Sequence, residues 1–346
     1  SSKEITDIPV VKDEYTTNTI TKGVYAFEDL WPTAGDYDMN DVIVRYNTIR
    51  TLYTRIKSGF VENTSLVEES FEFKTFQNYA TLINGLAVRI NSYADNQKDK
   101  IKSVKYYKKR PTDADFIDYT NDNKLMQQGT WKNYSKTYTQ YQYTSAERPS
   151  DDIYLLTDNI ANKKNENGIV GDSPDPIGTV YRITFVYSRD SNGDGISANA
   201  ATDIEPFVTR VHDAKYDGTG GEYDYRLEIH LPNHAASYTS GMLDKGGWAY
   251  LHLWGQYDDA SSPFRTDNGA INYYYRNSHK TITGADSGLY PFAFFLSGFG
   301  TKDEDIDNMK LKKESNESKS IDTVYSGYAK WVESSGAENK TWYLEE

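Results

Sequence analysis

Apolar and polar residues alternate with a period of two through much of this chain. The pattern is clearest in six segments: "DVIVRYNTIRTLYTRI" (41–56), "SFEFKTF" (70–76), "LAVRINSY" (86–93), "TVYRITFVYS" (179–188), "YDYRLEIHL" (223–231) and "WAYLHLWGQY" (248–257). Such alternation is typical of β-strands, and the Gly, Asn and Asp clusters between the segments predict hairpin connections. We therefore expect an all-β chain with a mainly antiparallel, β-sandwich-like fold.

The first of these segments shows how the faces are assigned. Val42, Val44 and Tyr46 share one face of the predicted strand, whereas Ile43 and Arg45 share the other. Because successive strand residues point to opposite sides of a sheet, this strand is predicted to have one buried and one half-exposed face.

One helix is predicted, in "SIDTVYSGYAKWVESSG" near the C-terminus. Ser320 can cap its first turn and Gly336 can end it. Gly327 inside the helix costs about 1 kcal/mol relative to Ala, so we expect the helix to depend on packing against the sheets. Apolar residues recur at helical spacing: Ile321, Val324, Tyr325, Tyr328, Trp331 and Val332.

The stretch from about residue 98 to 170 is rich in Lys, Tyr, Asn and Gln and alternates weakly. It is predicted to be a polar insertion in the β domain. No repeat with the period of a solenoid or a propeller is evident.

Composition and charge restrict the class of protein. With 14% aromatic residues, including 30 Tyr, the chain suits a folded protein better than a disordered one. A formal net charge of −13 opposes the phosphate backbone, so we expect no nucleic-acid partner. The chain has no Cys, which excludes disulfides, thiolate zinc sites and cysteine nucleophiles.

The acidic segment "DYDMND" is the strongest candidate for chemistry. Asp36, Asp38 and Asn40 lie two residues apart and Asp41 follows, a spacing with which a curled loop presents several oxygen ligands to one hard cation. Oxygen ligands favour Ca²⁺. The loop differs from an EF-hand, which needs Gly and Glu where this chain has Asp41 and Asn47. The alternative is a plain acidic turn.

A weaker second candidate for calcium is "RDSNGDGIS". Asp190, Asn192 and Asp194 match the first ligand positions of a calcium loop, but Ala201 stands where its closing Glu would be. "NGDG" is also a strong hairpin turn, so both interpretations stay open.

Other chemistry finds little support in the sequence. His230 and His234 are separated by Pro232 and lack an evident third zinc ligand, so structural roles at a strand end are expected. The chain has no nucleophile elbow, P-loop or dinucleotide fingerprint, and no two acids stand out as a glycosidase pair. Tyr and Trp side chains are predicted to fill a sandwich core, with sugar stacking as the alternative.

The segment "FEDLWPTAGDYDMNDVIVRY" (27–46) resembles the signature of the LruC-type domain of bacterial surface lipoproteins. Further segments resemble that family in the expected order, and nearly the whole chain is covered, with 98–170 as the divergent part. These segments are "LINGLAVRI", "EPFV", "EIHLPN", "YPFAFFLSGF" and "YSGYAKWVESSG".

This resemblance implies an exported protein at the outer-membrane surface of a Gram-negative bacterium, held only by a lipid anchor upstream of Ser1. It divides the chain into an N-terminal segment after the lipoprotein leader (1–22) and an LruC-type β domain (23–346). It also implies a metal loop at Asp36, Asp38, Asn40 and Asp41, helped by Asp29, and no established enzymatic activity.

We therefore expect a cell-surface binding or adhesion module with a structural calcium loop and no catalytic residues. Its partner would be a glycan, host matrix or a neighbouring surface protein. A fimbria-like structural subunit that adds a strand to its neighbour is one alternative. A glycoside hydrolase based on Asp or Glu is the other.

Overall fold

A computed structural model of the chain shows two packed antiparallel sheets and a layer of short helices. The residues that the structure describes are 11–28, 38–79, 84–92, 97–120, 153–157, 159–160, 175–200, 202–214, 223–231, 276–281, 289–291, 293–316, 318–334 and 336–344.

Within these residues the strands, in chain order, are β1 (Val11–Phe27), β2 (Val42–Lys57), β3 (Phe60–Asn78), β4 (Asn84–Ser92), β5 (Ile101–Lys109), β6 (Ile117–Asp118), β7 (Ile153–Thr157), β8 (Val180–Tyr187), β9 (Ile196–Ser197), β10 (Asp203–Ala214), β11 (Tyr223–Ile229), β12 (Arg276–Thr281), β13 (Leu289–Pro291) and β14 (Ala293–Ser297).

The larger sheet has the order β14-β1-β2-β3-β8-β5-β6, with β9 paired to β3, and the smaller sheet has the order β11-β10-β4-β7. β12 and β13 form a separate ribbon. All the pairings are antiparallel.

The two main sheets pack face to face around one apolar core. Phe73 and Phe185 of the larger sheet belong to the same buried cluster as Val88 and Val208 of the smaller sheet. Burial of apolar surface is the main favourable term in folding, so this interior supports both sheets. The predicted mainly antiparallel, sandwich-like all-β fold is confirmed.

The larger sheet is covered on both faces where β1, β2 and β14 lie together. Val42, Val44 and Tyr46 face the core between the sheets, as their alternation predicts. Ile43, on the opposite face of β2, is fully buried in a second core against the C-terminal helices. The face predicted to be half-exposed is therefore covered at this point.

Short C-terminal helices form the outer layer: α1 (Asp303–Asp307), α2 (Ile321–Val324) and α3 (Tyr328–Glu333), with 3-10 turns at Lys310–Lys312, Glu314–Asn316 and Trp342–Leu344. A further 3-10 turn, Gln97–Lys100, directly precedes β5. The second core gathers around fully buried Trp342, which contacts the rings of Tyr325 and Tyr328 at centroid distances of 5.0 and 4.9 Å. None of the described helices is long and apolar enough to span a membrane.

The prediction of one continuous C-terminal helix from Ser320 to Gly336 is wrong. α2 ends at Val324, and the chain is extended at Tyr325 before α3 begins. The Tyr325 hydroxyl accepts a hydrogen bond from the backbone N–H of Lys310 at 2.9 Å, and its ring is buried. This tertiary contact holds Tyr325 outside the helix, beside the weak helix former Gly327.

Several predicted segments are only partly described. From about 98 to 170, the structure shows β5 and β6 in the larger sheet and β7 in the smaller one. The predicted strand at 248–257 lies outside the described residues, and the N-terminal segment 1–22 is described only from Val11 onwards.

Candidate functional site

The candidate site lies where β1 and β2 are joined. Phe27, the last residue of β1, pairs with Val42, the first residue of β2. Continuing this antiparallel register by one step places Glu28 opposite Asp41, so the loop between the strands begins and ends with a carboxylate at the same place.

Three carboxylates meet there. Glu28, Asp38 and Asp41 each offer an oxygen, and these oxygens all lie within 4.8 Å of one another. The three residues are buried, with 0%, 2% and 9% of their surface exposed. Like charges this close in a dry environment disfavour the ionised forms, and a divalent cation relieves that repulsion. Hard cations such as Ca²⁺ prefer oxygen ligands.

The backbone around Asp38 is shaped to hold its carboxylate in place. Met39 adopts a left-handed conformation with φ of 58°, which few non-glycine residues do, and its side chain is fully buried in the second core. Asp38 Oδ1 accepts from the N–H of Asn40 at 3.3 Å, and Oδ2 accepts from the N–H of Ser318 at 2.9 Å. The C-terminal layer therefore contacts the cluster directly.

Asn40 is a fourth buried polar residue, and it contacts the cluster through its backbone N–H, which donates to Asp38. Only 1% of it is exposed, yet its Oδ1 and Nδ2 make no hydrogen bond with any described residue. Its backbone carbonyl accepts from Nε2 of Gln77 at 3.3 Å. A buried amide without partners costs free energy, and an Asn carbonyl oxygen is a calcium ligand.

The structure thus brings together three of the five residues predicted for the primary loop: Asp38, Asn40 and Asp41. Asp29 and Asp36 lie outside the described residues. Sequence reasoning missed Glu28. The signal was "GVYAF" before it, because this short apolar run is consistent with a buried strand that ends at Phe27 and is followed by an acid.

The weaker calcium candidate forms a compact turn after β8. Oδ1 of Asp190 accepts from the N–H groups of Asn192 and Asp194 at 2.8 and 3.0 Å, and the Asp190 N–H donates to the Asp194 carbonyl at 2.9 Å. Gly193 is left-handed, with φ of 83°. These contacts are those of an Asx-type turn, in which the carboxylate replaces a backbone acceptor.

An arginine on β2 already forms an ion pair with the carboxylate of Asp194 in this turn. Asp194 Oδ2 lies 3.1 Å from Nη2 of Arg55 on β2, while Asp194 Oδ1 is buried and makes no hydrogen bond within the described part of the chain. Calcium at Asp190, Asn192 and Asp194 therefore stays a prediction, and the geometry also accounts for the loop as a turn paired to Arg55.

His230, just after β11, packs in the interior. It is fully buried, its Nδ1 lies 3.0 Å from Oε1 of Glu205, and its ring stacks on Phe207 at 4.2 Å. Glu205 also accepts from Nη2 of Arg89 at 2.7 Å. The arrangement agrees with the structural role expected for His230, and His234 lies outside the described residues.

Comparison with known proteins identifies a fold relative. A crystal structure described as a "Putative lipoprotein from Bacteroides ovatus" aligns with a TM-score of 0.50 and 16% sequence identity, covering 96% of this chain and 74% of the other. No family model matches the chain, and no curated protein matches it.

At this identity the comparison shows a shared fold alone. The chain therefore has the architecture of a protein described as a lipoprotein, which is consistent with the lipoprotein resemblance of its sequence. Membership of the LruC-type family stays a prediction.

Proposed function

We propose that this chain is an exported cell-surface binding module whose fold is stabilised by one Ca²⁺ at Glu28, Asp38 and Asp41, with Asn40 as a further ligand. The observation that carries the metal assignment is the meeting of three buried carboxylates within 4.8 Å. A second supporting observation is Asn40, whose backbone N–H donates to Asp38 and whose buried amide makes no hydrogen bond with any described residue.

The place of the cluster gives the ion a structural role. Glu28 ends β1, Asp41 precedes β2, and Asp38 accepts a hydrogen bond from Ser318 in the C-terminal layer. The ion would supply the counter-charge that lets these three segments meet in the interior. In a chain without Cys, such a tie replaces a disulfide.

Placement at the cell surface is supported by the lipoprotein resemblance and by the fold shared with a chain described as a lipoprotein. We propose an outer-membrane lipid anchor upstream of Ser1 and a glycan, a matrix protein or a neighbouring surface protein as the partner. Calcium would act on stability and would take no part in chemistry.

Metal analysis tests the calcium centre. In equilibrium dialysis with free calcium about tenfold above the dissociation constant, about 10⁻⁴–10⁻³ M for extracellular sites, the protein should hold about one Ca²⁺ per chain above the buffer background. Asp38→Asn with Asp41→Asn should retain none. The matched control, Asp190→Asn with Asp194→Asn, should retain as much as wild type. Equal calcium in wild type and the first variant would refute the assignment.

Protease treatment of intact cells tests the location. Cells that express the full-length protein should lose it to added protease while an internal marker survives. Full protection in intact cells, with digestion after lysis, would contradict surface display.

A second candidate, a structural subunit, is favoured by one observation on β1. β14 pairs only with Gly23–Phe27, so in the described part of the chain Val11–Lys22 has a sheet neighbour on one side alone, β2. An open strand edge is a template for strand addition. Concentration-dependent polymers that disappear when residues 1–22 are removed would favour this function over soluble ligand binding.

A further inference from the structure

A cavity of about 430 Å³ opens between the larger sheet and the start of β10. It lies within the volume range of small-molecule sites, about 300–1,000 Å³. It is separate from the carboxylate cluster, because none of Glu28, Asp38, Asn40 and Asp41 lines it. Ligand sites are commonly apolar cavities with a few convergent polar groups, and this cavity has both parts.

Its floor is aromatic. Tyr25, Tyr46 and Phe71 come from the adjacent strands β1, β2 and β3, and each is less than a tenth exposed. Phe295 of β14 stacks on Tyr25 with ring centroids 4.3 Å apart. The core holds these rings in place, so they form a rigid apolar surface that carries Tyr hydroxyl groups.

A buried carboxylate on the wall keeps one acceptor available. Glu69 is 3% exposed, and its Oε2 accepts from Thr202 Oγ1 at 2.7 Å and from the Tyr187 hydroxyl at 3.1 Å. Oε1 lies 3.7 Å from Arg50 Nε, too far for a hydrogen bond, and accepts none from the described residues. Burial raises the pKa of Glu69, while Thr202, Arg50 and Tyr187 oppose that rise.

The charges of the wall balance one another. Glu69 is paired with Arg50, and Glu205 is paired at 2.7 Å with Arg89, which does not itself line the cavity. Lys22 and Asp203 at the rim add one charge of each sign. A charged ligand bound here would lose its hydration, and the wall has no unpaired charge of opposite sign to compensate for that cost. A neutral ligand avoids that cost and still finds hydrogen-bond acceptors and donors.

We propose that this cavity binds a neutral, hydroxyl-rich ligand, a sugar unit of a glycan. Its apolar C–H face would lie on the Tyr25–Tyr46 floor, and one of its hydroxyls would donate to Oε1 of Glu69. At the rim, exposed Asp203 and Lys22 would contact hydroxyls of the next unit. This inference rests on the proposed binding function and names the ligand class and the site.

The test is a glycan array followed by titration calorimetry on the calcium-loaded protein. The probes are neutral glycans, uronate-containing glycans and spermidine, which stand for neutral, anionic and cationic ligands. We expect binding of neutral glycans only. Glu69→Gln should weaken it by about tenfold or more, because a charged acceptor is lost.

Glu72→Gln is the matched control. Glu72 lies on the opposite face of β3, ion-paired with Arg182, and does not line the cavity. It loses the same charge on the same strand, so affinity should stay within about twofold of wild type. Lys22→Ala, at an exposed rim position, leaves the core intact and should weaken binding by about threefold.

Three results would overturn the inference: no neutral glycan bound, a preference for uronates or spermidine, or equal affinity in Glu69→Gln and Glu72→Gln. If calcium retention follows the expected pattern while neutral glycans do not bind, the calcium-stabilised module stands and its partner is of another class. If calcium retention also fails, the proposed function fails with it.

Discussion

The backbone N–H of Ser318 donates a 2.9 Å hydrogen bond to Oδ2 of Asp38, although 280 positions separate them in the chain. Asp38 is 2% exposed and lies in the carboxylate cluster with Glu28 and Asp41. The contact joins the C-terminal layer to the loop between β1 and β2. Charge at this loop should therefore influence the stability of the whole fold.

A second contact between these layers predicts that the stability of the fold depends on pH. Asp303, at the start of α1, forms ion pairs with Arg45 on β2 and Lys74 on β3. Burial raises the pKa of Asp303, but Lys74 and Arg45 outweigh it and hold that pKa below 3.8. The stabilisation is therefore complete above about pH 4 and is lost as the pH falls through the lower, folded-state pKa.

Urea unfolding of wild type and Asp303→Asn between about pH 3 and pH 7 measures this contribution. Wild type should be more stable at neutral pH, and the difference should shrink in acid. Glu304→Gln, an exposed change in the same helix, should stay within about 0.5 kcal/mol of wild type. A difference between wild type and Asp303→Asn that grows in acid would contradict the account.

Trp342 is predicted to act through packing alone. It is fully buried among the rings of the second core, and its Nε1 makes no hydrogen bond with any described residue. Trp342→Ala should cost about 3–5 kcal/mol of unfolding free energy. Trp342→Phe, which loses volume but no hydrogen bond, should cost clearly less, as measured by chemical denaturation. Equal costs would show that the indole N–H has a partner.

Gly23 is required by the close approach of β14 to β1. A Cβ there would lie 2.2 Å from the Leu296 carbonyl oxygen and 2.7 Å from the Phe295 ring. Gly23→Ala should therefore destabilise the fold by about 1–3 kcal/mol beyond any backbone strain. Gly59→Ala is the control, because its Cβ would meet nothing within 4 Å although φ is +85°. Similar melting temperatures for the two variants would disprove the steric argument.

The turn at Asp190–Asp194 should depend on Arg55. Arg55→Met removes the cation 3.1 Å from Asp194 Oδ2 and leaves a largely buried carboxylate without it, at a cost of about 2 kcal/mol. Adding Asp194→Asn should restore most of that stability in a double-mutant cycle. The calcium response of Arg55→Met should match that of wild type. A larger response would identify this turn as a second metal site.

The alternation of apolar and polar residues predicted the strands well, because a strand with one buried face needs apolar residues at every second position. Val42, Val44 and Tyr46 face the core, as their alternation predicts. The same signal could not show that Ile43 would also be covered, since that depends on the C-terminal layer, which is more than 250 residues away in the chain.

Register and tertiary contacts explain what the sequence did not predict. The proximity of Glu28 to Asp41 follows from the pairing of Phe27 with Val42, a contact that closes a long loop. The break between α2 and α3 follows from the Tyr325 hydroxyl bonded to Lys310. Helical periodicity still located the buried side chains Ile321, Tyr325, Tyr328 and Val332, although they lie on two helices and in the three-residue segment between them.

Thermal and urea unfolding with calcium and with chelator tests the central claim most directly. For wild type, free calcium near 100 times its dissociation constant should raise stability by about 2.7 kcal/mol over the metal-free protein. Asp38→Asn with Asp41→Asn should show no rise, and Asp190→Asn with Asp194→Asn should show the wild-type rise. An equal calcium response in wild type and the Asp38/Asp41 variant, or none in metal-free wild type, would contradict a structural calcium centre at this loop.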